Sequence, residues 1–165
     1  MALARATIAA GVVVTSAYQC PGSGSLVHAS MKVTVTASAS CADVQAEIEA
    51  RANSNSWVDP HNGGIYSLVS SSSGLVNTQR TTNPATSVGG KTYTDKQTFS
   101  LTDNSGSCEI HACSESQSTS VADFSTNYCD LRNLYCGSAD GCVAVKNDFT
   151  SDETSHSGSI GAGHD

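Results

Sequence analysis

The segment Asp59-Pro60-His61-Asn62-Gly63-Gly64 is the sharpest cluster of reactive side chains in the chain. A carboxylate two residues from an imidazole can orient it for general-base work, and a pair of glycines leaves room for a substrate. The same residue types also build turns, which would leave His61 on the surface. Trp57, the only tryptophan, stands just ahead of the cluster. Trp57, Asp59, His61 and Asn62 together form a candidate contact for a sugar ring or a peptide. The competing role for Trp57 is to plug the end of a core.

Sulfur is the second chemistry on offer. Cys108, Cys113, Cys129, Cys136 and Cys142 fall within 35 residues, and Cys20 and Cys41 lie upstream. Zinc ligation by cysteine uses closely spaced pairs, about two to four residues between ligands. Only Cys108 and Cys113 approach that spacing, with no matching second pair, and His111 beside Cys113 reads as an ordinary strand residue. No metal and no cofactor is expected. Cys41, Cys108, Cys113, Cys129, Cys136 and Cys142 are expected to pair as disulfides, in a connectivity that spacing does not choose. Cys20 is the odd one, a candidate unpaired or intermolecular cysteine. A nucleophilic serine would need a positioned base and an oxyanion hole, and the chain has no Gly-x-Ser-x-Gly.

Cysteine usage of this kind points outside the cytosol. The N-terminus agrees: Arg5 supplies a positive charge, Ala6 to Val14 an apolar run, and Thr15 with Ala17 a small-residue cleavage site, so residues 1–17 read as a secretory signal. A cut after Ala29 is the second choice. The apolar run is about half of the ~20 residues that a membrane span needs, and no other stretch is a candidate. The formal charge of −7, with no Lys/Arg cluster, argues against nucleic acid and anionic lipid as partners. Serine and threonine make up about a quarter of the chain, and no Asn-x-Ser/Thr occurs. The surface should be largely hydroxyl-bearing.

These residues must be carried by some scaffold. Residues 18–30 read as a loose arm. Met31, Val33 and Val35 alternate with Lys32, Thr34 and Thr36, as in a half-buried strand. Ser40 with Asp43 three residues on opens a helix to Asn53, in which Val44 and Ile48 share a face and Glu47 reaches Arg51. Strands follow at Ile65–Ser70, Leu75–Thr82 and Lys91–Thr102, the last with Tyr93, Phe99 and Leu101 on one face. Asp103-Asn104-Ser105-Gly106 should turn the chain back into a further strand. Asn127 to Tyr135 can form a short helix on Leu131, Leu134 and Tyr135. The expected fold is α+β, a single disulfide-stapled domain over residues 31–146. In it an antiparallel sheet wraps one helix, as in cystatin-like and NTF2-like rolls, and a cysteine-laced C-terminal extension follows. Residues 147–165 read as a disordered polar tail.

Three phrases, WVDPHNGGIYSL from Trp57, CSESQ from Cys113 and DFSTNYCDLRNLYCGSADGC from Asp123, resemble a set of secreted cysteine-rich proteins of algae and other microbial eukaryotes. The resemblance covers roughly half the chain. It implies a secreted, disulfide-stapled domain and no activity.

A non-catalytic role follows as the leading expectation: binding an extracellular protein or glycan, or building an extracellular assembly. A small hydrolase or lyase using Asp59 and His61 is the alternative from another class. Cystatin-like protease inhibition is a third, but the Gln-x-Val-x-Gly hairpin and Pro-Trp loop it requires are missing, and Ser73 to Asn77 holds the comparable hairpin position.

Overall fold

The computed structural model describes residues 18–54, 56–120 and 123–159, so the expected secretory signal lies outside the described residues. Strand β1 (Ser30–Ala37) buries Met31, Val33, Val35 and Ala37 on alternate positions, as its sequence pattern requires. Helix α1 (Cys41–Asn53) starts where expected. The Ser40 hydroxyl oxygen accepts from the Asp43 amide at 3.2 Å and its proton goes to the Asp43 carboxylate at 2.7 Å. Val44 and Ile48 drop into the core.

Two hairpins follow. Strand β2 (Ile65–Ser72) turns through Gly74 into β3 (Leu75–Thr81), and β4 (Thr94–Asn104) turns through Ser105 and Gly106 into β5 (Ser107–Ser116). Ser105 and Gly106 both carry positive φ, 48° and 103°, the twist that a two-residue hairpin loop needs. Helix α2 (Thr126–Tyr135) buries Leu131, Leu134 and Tyr135, the side read from the sequence. The chain then returns as β6 (Ser151–Gly158). The six strands run antiparallel in the order β2-β3-β4-β5-β1-β6, and both helices contact the sheet.

The α+β class with an antiparallel sheet is as expected. Two parts of the expectation are corrected. The sheet carries a second helix rather than one helix and an appended subdomain: α2 packs against β5, β1 and β4 and against α1. The tail is not a tail as far as residue 159. Phe149 is buried, and β6 pairs with β1 along its length with one register shift near Thr34. Its sequence, SDETSHSG, is almost wholly polar because an edge strand with an exposed outer side needs little apolar area. It is held by ladder hydrogen bonds to β1, which any residue but proline can make.

The arm is likewise ordered from Tyr18. It crosses the outer face of the sheet, where the Tyr18 ring meets His111 edge-on at 5.2 Å, and Gln117 donates to the Gly22 carbonyl at 2.9 Å. Among the described residues, no helix is long and apolar enough to cross a membrane.

Three disulfides join Cys20 to Cys113, Cys41 to Cys108, and Cys136 to Cys142. The expected roles of two cysteines are exchanged: Cys20 is paired and Cys129 is the free thiol. Cys20 is placed by the ordered arm, which brings it over Cys113 on β5. Cys129 is carried on α2, with burial pushing its thiol up to about 11 and Asp130 adding to the effect.

The Cys41–Cys108 bridge spans 67 residues and ties the first turn of α1 to the start of β5. A cross-link closing a loop of that length contributes about 4 kcal/mol on the chain-entropy account. Replacing both cysteines by alanine should lower unfolding stability by about 2–4 kcal/mol, measured by urea titration, with the α-helical signal retained at low denaturant.

Candidate functional site

The loop between α1 and β2 is built around the Asp59 carboxylate. One oxygen accepts from the His61 amide at 2.9 Å and from the Asn133 side chain at 2.7 Å. The other accepts from the Gly64 amide at 3.0 Å and from Arg80 Nε at 2.9 Å, with Arg80 Nη2 at 2.8 Å. Both oxygens are thus spent on backbone, amide and guanidinium donors in a buried setting. Neither is left to orient an imidazole. His61 is exposed on the turn, and no ion pair joins it to Asp59. Asn62 is also tied down. Its side-chain oxygen accepts from Arg80, and its carbonyl accepts from the Thr86 hydroxyl at 2.7 Å. The residues expected to do acid–base chemistry therefore shape the loop instead.

Arg80 reaches this loop from β3 and is itself fully buried. Its Nε lies 3.1 Å from Asp130 of α2, and its Nη1 lies 3.9 Å from Asp95 of β4. Gly64 has to be glycine here, since a Cβ would stand 2.3 Å from Arg80 Nε. The polar cluster continues inward. Ser116 donates to Asp95 at 2.5 Å, Ser114 donates to Asn127 at 2.6 Å, and Asn127 donates to Asp123 at 2.7 Å. Burial would strip the proton from Arg80, but Asp130, Tyr66 and Asp59 outweigh it and keep the guanidinium charged. Burial pushes the Asp130 carboxyl well up, and the neighbouring Asp95 charge adds to it against the pull of Arg80. Burial also raises Asp95 and Asp123.

The sequence pattern conceals this cluster. Asp95 and Gln97 occupy the same strand face as Phe99 and Leu101, and Thr78 and Arg80 the same face as Val76. The alternation that announces an apolar face is broken there by buried polar residues. One signal was available: in α2, Asn127, Asp130, Leu131 and Leu134 follow helical spacing, which places the two polar residues on the buried side. Tyr93, expected on the Phe99 face, precedes β4 and is 39% exposed.

Trp57 is held half-buried over Tyr66, ring to ring at 5.5 Å and 63°, so it both packs on the core and borders solvent. A cleft of about 430 Å³ opens between Ser56–Pro60 and the Gly141–Val145 segment. A second cleft, of about 540 Å³, lies beyond Trp57 and Val58 toward Ile65 and Asn83. Val58 is 68% exposed and Val143 74%. The far wall of the first cleft is positioned by α1. Glu47, paired with Arg51 at 2.7 Å, accepts from the amides of Val145, Lys146 and Asn147 at 2.6–2.8 Å. Burial alone would raise Glu47, but the Val145 and Asn147 amides, Arg51 and Lys146 outweigh it and hold it below the usual carboxylate range. Arg51 donates onward to the carbonyls of Asn133 and Cys136, both at 2.8 Å. The Cys136–Cys142 bridge closes the start of the same wall.

His111 has its own setting on the outer face of the sheet, with Nε2 at 2.6 Å from Glu109 and Tyr18 against its ring. What the loop and the 141–145 segment offer is a walled apolar contact rather than an acid, a base and a nucleophile converging on one point. No protein-family model, curated protein or solved structure matches this chain.

The raised carboxyls give stability an unusual pH dependence. Asp130, Asp95 and Asp123 bind protons more tightly folded than unfolded. Their contribution is full below the unfolded aspartate range near ~3.9 and is lost as pH rises through the folded values. The Glu47 contribution runs the other way, but is lost only on descending below the ordinary Glu value of 4.5. Above the ordinary carboxylate range the urea midpoint should therefore fall as pH rises through the folded values of these aspartates. Asp130→Asn should flatten that fall, which a set of midpoints across that range will read.

Proposed function

We propose that this chain is a non-catalytic, extracellular binding domain. The Trp57 loop and the facing 141–145 segment grip an extended stretch of another extracellular protein by an apolar side chain. The observation that carries the reading is the first cleft. Trp57, Val58 and Pro60 stand on one side and Val143, Ala144 and Val145 on the other, and both walls are fixed by buried ion pairs and a disulfide. Concave apolar walls with a preset shape are what peptide anchors use, since little ordering cost remains to be met on binding. The three disulfides and the acidic, lysine-poor surface suit an extracellular setting.

The alternatives draw less support. A hydrolase using Asp59 and His61 lacks the convergence it needs, because Asp59 is enclosed and His61 faces solvent. A sugar-binding role would use the other side of Trp57, where Asn53, Ser54, Ser67 and Asn83 line the second cleft, rather than the valine-walled first one.

Selection of displayed random peptides on the oxidised protein tests the reading. Enriched peptides should carry an aliphatic or aromatic anchor and should perturb Trp57 fluorescence. Val143→Asp should weaken them about tenfold or more, roughly 1.4 kcal/mol, while the circular dichroism spectrum stays unchanged. Failure to enrich any peptide, or binding indifferent to both Val143→Asp and Val58→Asp, would sink the proposal. A glycan array signal abolished by Trp57→Ala would replace the peptide with a sugar.

A further inference from the structure

We infer that the outer edge of β2 pairs with the same edge of a second copy of this chain, antiparallel and centred on Ser67. Among the described residues β2 ends the sheet, with β3 on one side and no strand on the other. The cleft of about 540 Å³ beyond Trp57 is lined by every residue from Gly63 to Leu68. Successive strand residues face opposite ways, so a cleft that touches all of them runs along the edge and leaves it open to another strand.

The two ends of the sheet are guarded differently. Strand β6 carries Asp152, Glu153 and His156, charges of the kind that keep edges from pairing. Strand β2, with the sequence IYSLVSSS, has no charged residue and no proline. The chain carries a formal charge of −7, so two copies repel unless a charge-free surface can meet its like.

The residues of β2 also read alike in both directions about Ser67. Ile65, Ser67 and Val69 face outward, and Tyr66 and Leu68 face the helix layer. A twofold axis through Ser67 sets Ile65 opposite Val69 and Tyr66 opposite Leu68, apolar against apolar on both faces. Ile65 is 62% exposed and Val69 59%, so pairing covers the two apolar side chains that this edge leaves in water. The bulge after Leu68 ends the regular stretch, which the pairing uses in full. An eight-residue strand is about 27 Å long, and sheet plus helix layer is about 20 Å deep. Two such edges bury on the order of 1,000 Å² together, the low end for a specific contact, so the dimer forms and dissociates with concentration.

Sedimentation of the full oxidised chain from about 1 µM to 1 mM should show a reversible monomer–dimer equilibrium. Added salt should tighten it, because screening removes the repulsion between like-charged copies. Ser67→Lys sets two positive charges against each other at the axis and should weaken association at least tenfold, with the circular dichroism spectrum and melting unchanged. Ser157→Lys, on the β6 edge, should associate as the wild type does. Register is read by cross-linking with oxidised glutathione in a Cys129→Ser background. Directly opposed residues stand about 4.5–5.5 Å apart between Cα atoms, within reach of a disulfide. Ser67→Cys should therefore yield covalent dimer at least tenfold faster than Ile65→Cys, which faces Val69. The proposal is overturned if the chain stays monomeric to 1 mM, if association weakens with salt, if Ser67→Lys leaves it intact, if Ser157→Lys abolishes it, or if Ile65→Cys cross-links as fast as Ser67→Cys.

Discussion

A guanidinium with no exposed surface sits at the junction of three elements and a loop, and most of the polar architecture is arranged to keep it there. Arg80 meets Asp59 in the loop, Asp130 on α2 and Asp95 on β4. Moving an ion of that size out of water costs several kcal/mol, which is recovered only if partners with good geometry surround it. The partners are in surplus: the carboxyls around Arg80 outnumber its single positive charge, and burial raises the affinity of several for protons. Removing the guanidinium would leave those carboxyls facing one another, at a cost on the order of 3–5 kcal/mol for an uncompensated buried charge. The consequence reaches the surface. The Asp59 turn that Arg80 anchors carries Trp57 and Val58, so the shape of the apolar cleft is set by an ion pair beneath it.

A second buried pair does the same for the opposite wall. Glu47 and Arg51 lie one helical turn apart on α1 and neither reaches solvent. Glu47 gathers the amides of residues 145–147, and Arg51 caps carbonyls at the end of α2, where the helix dipole favours a cation. The chain therefore uses charge where a larger core would use apolar area. Aromatic residues make up 5% of the composition, and the inner face of the sheet grades from Val35, Phe99 and Ile110 toward Arg80, Asp95 and Ser116. Disulfides complete the economy: one ties the arm to the outer face, one ties α1 to β5, and one closes the 136–142 loop.

Much of this was legible in the residue pattern, and the remainder fails for identifiable reasons. The Ser40 cap, the Glu47–Arg51 spacing, the β1 alternation and the Ser105–Gly106 turn are local, decided by a few adjacent residues, and each stands where read. The polar inner face gives no apolar alternation, because Asp95, Gln97 and Arg80 break that signal while being buried. Strand β6 is silent in the pattern, since an edge strand on a polar surface has no hydrophobic period to show. Asp59 and His61 are neighbours in the chain, which suggests a pair in space. The turn that makes them neighbours faces one inward and the other outward.

The order of amino acids settled the elements other than β6, their caps and turns, the apolar stripe of each helix and the commitment of sulfur to cross-linking. All of these follow from contacts between residues a few positions apart, whose geometry the backbone dictates. Which cysteine finds which, where α2 lands, what Arg80 is surrounded by and whether Trp57 borders a groove were decided when the strands came together in the order β2-β3-β4-β5-β1-β6. Those contacts join residues as far apart as Ser30 and Ser159, 129 positions along the chain. They exist because burial drives most enclosed polar groups to find partners, and no local rule names those partners in advance.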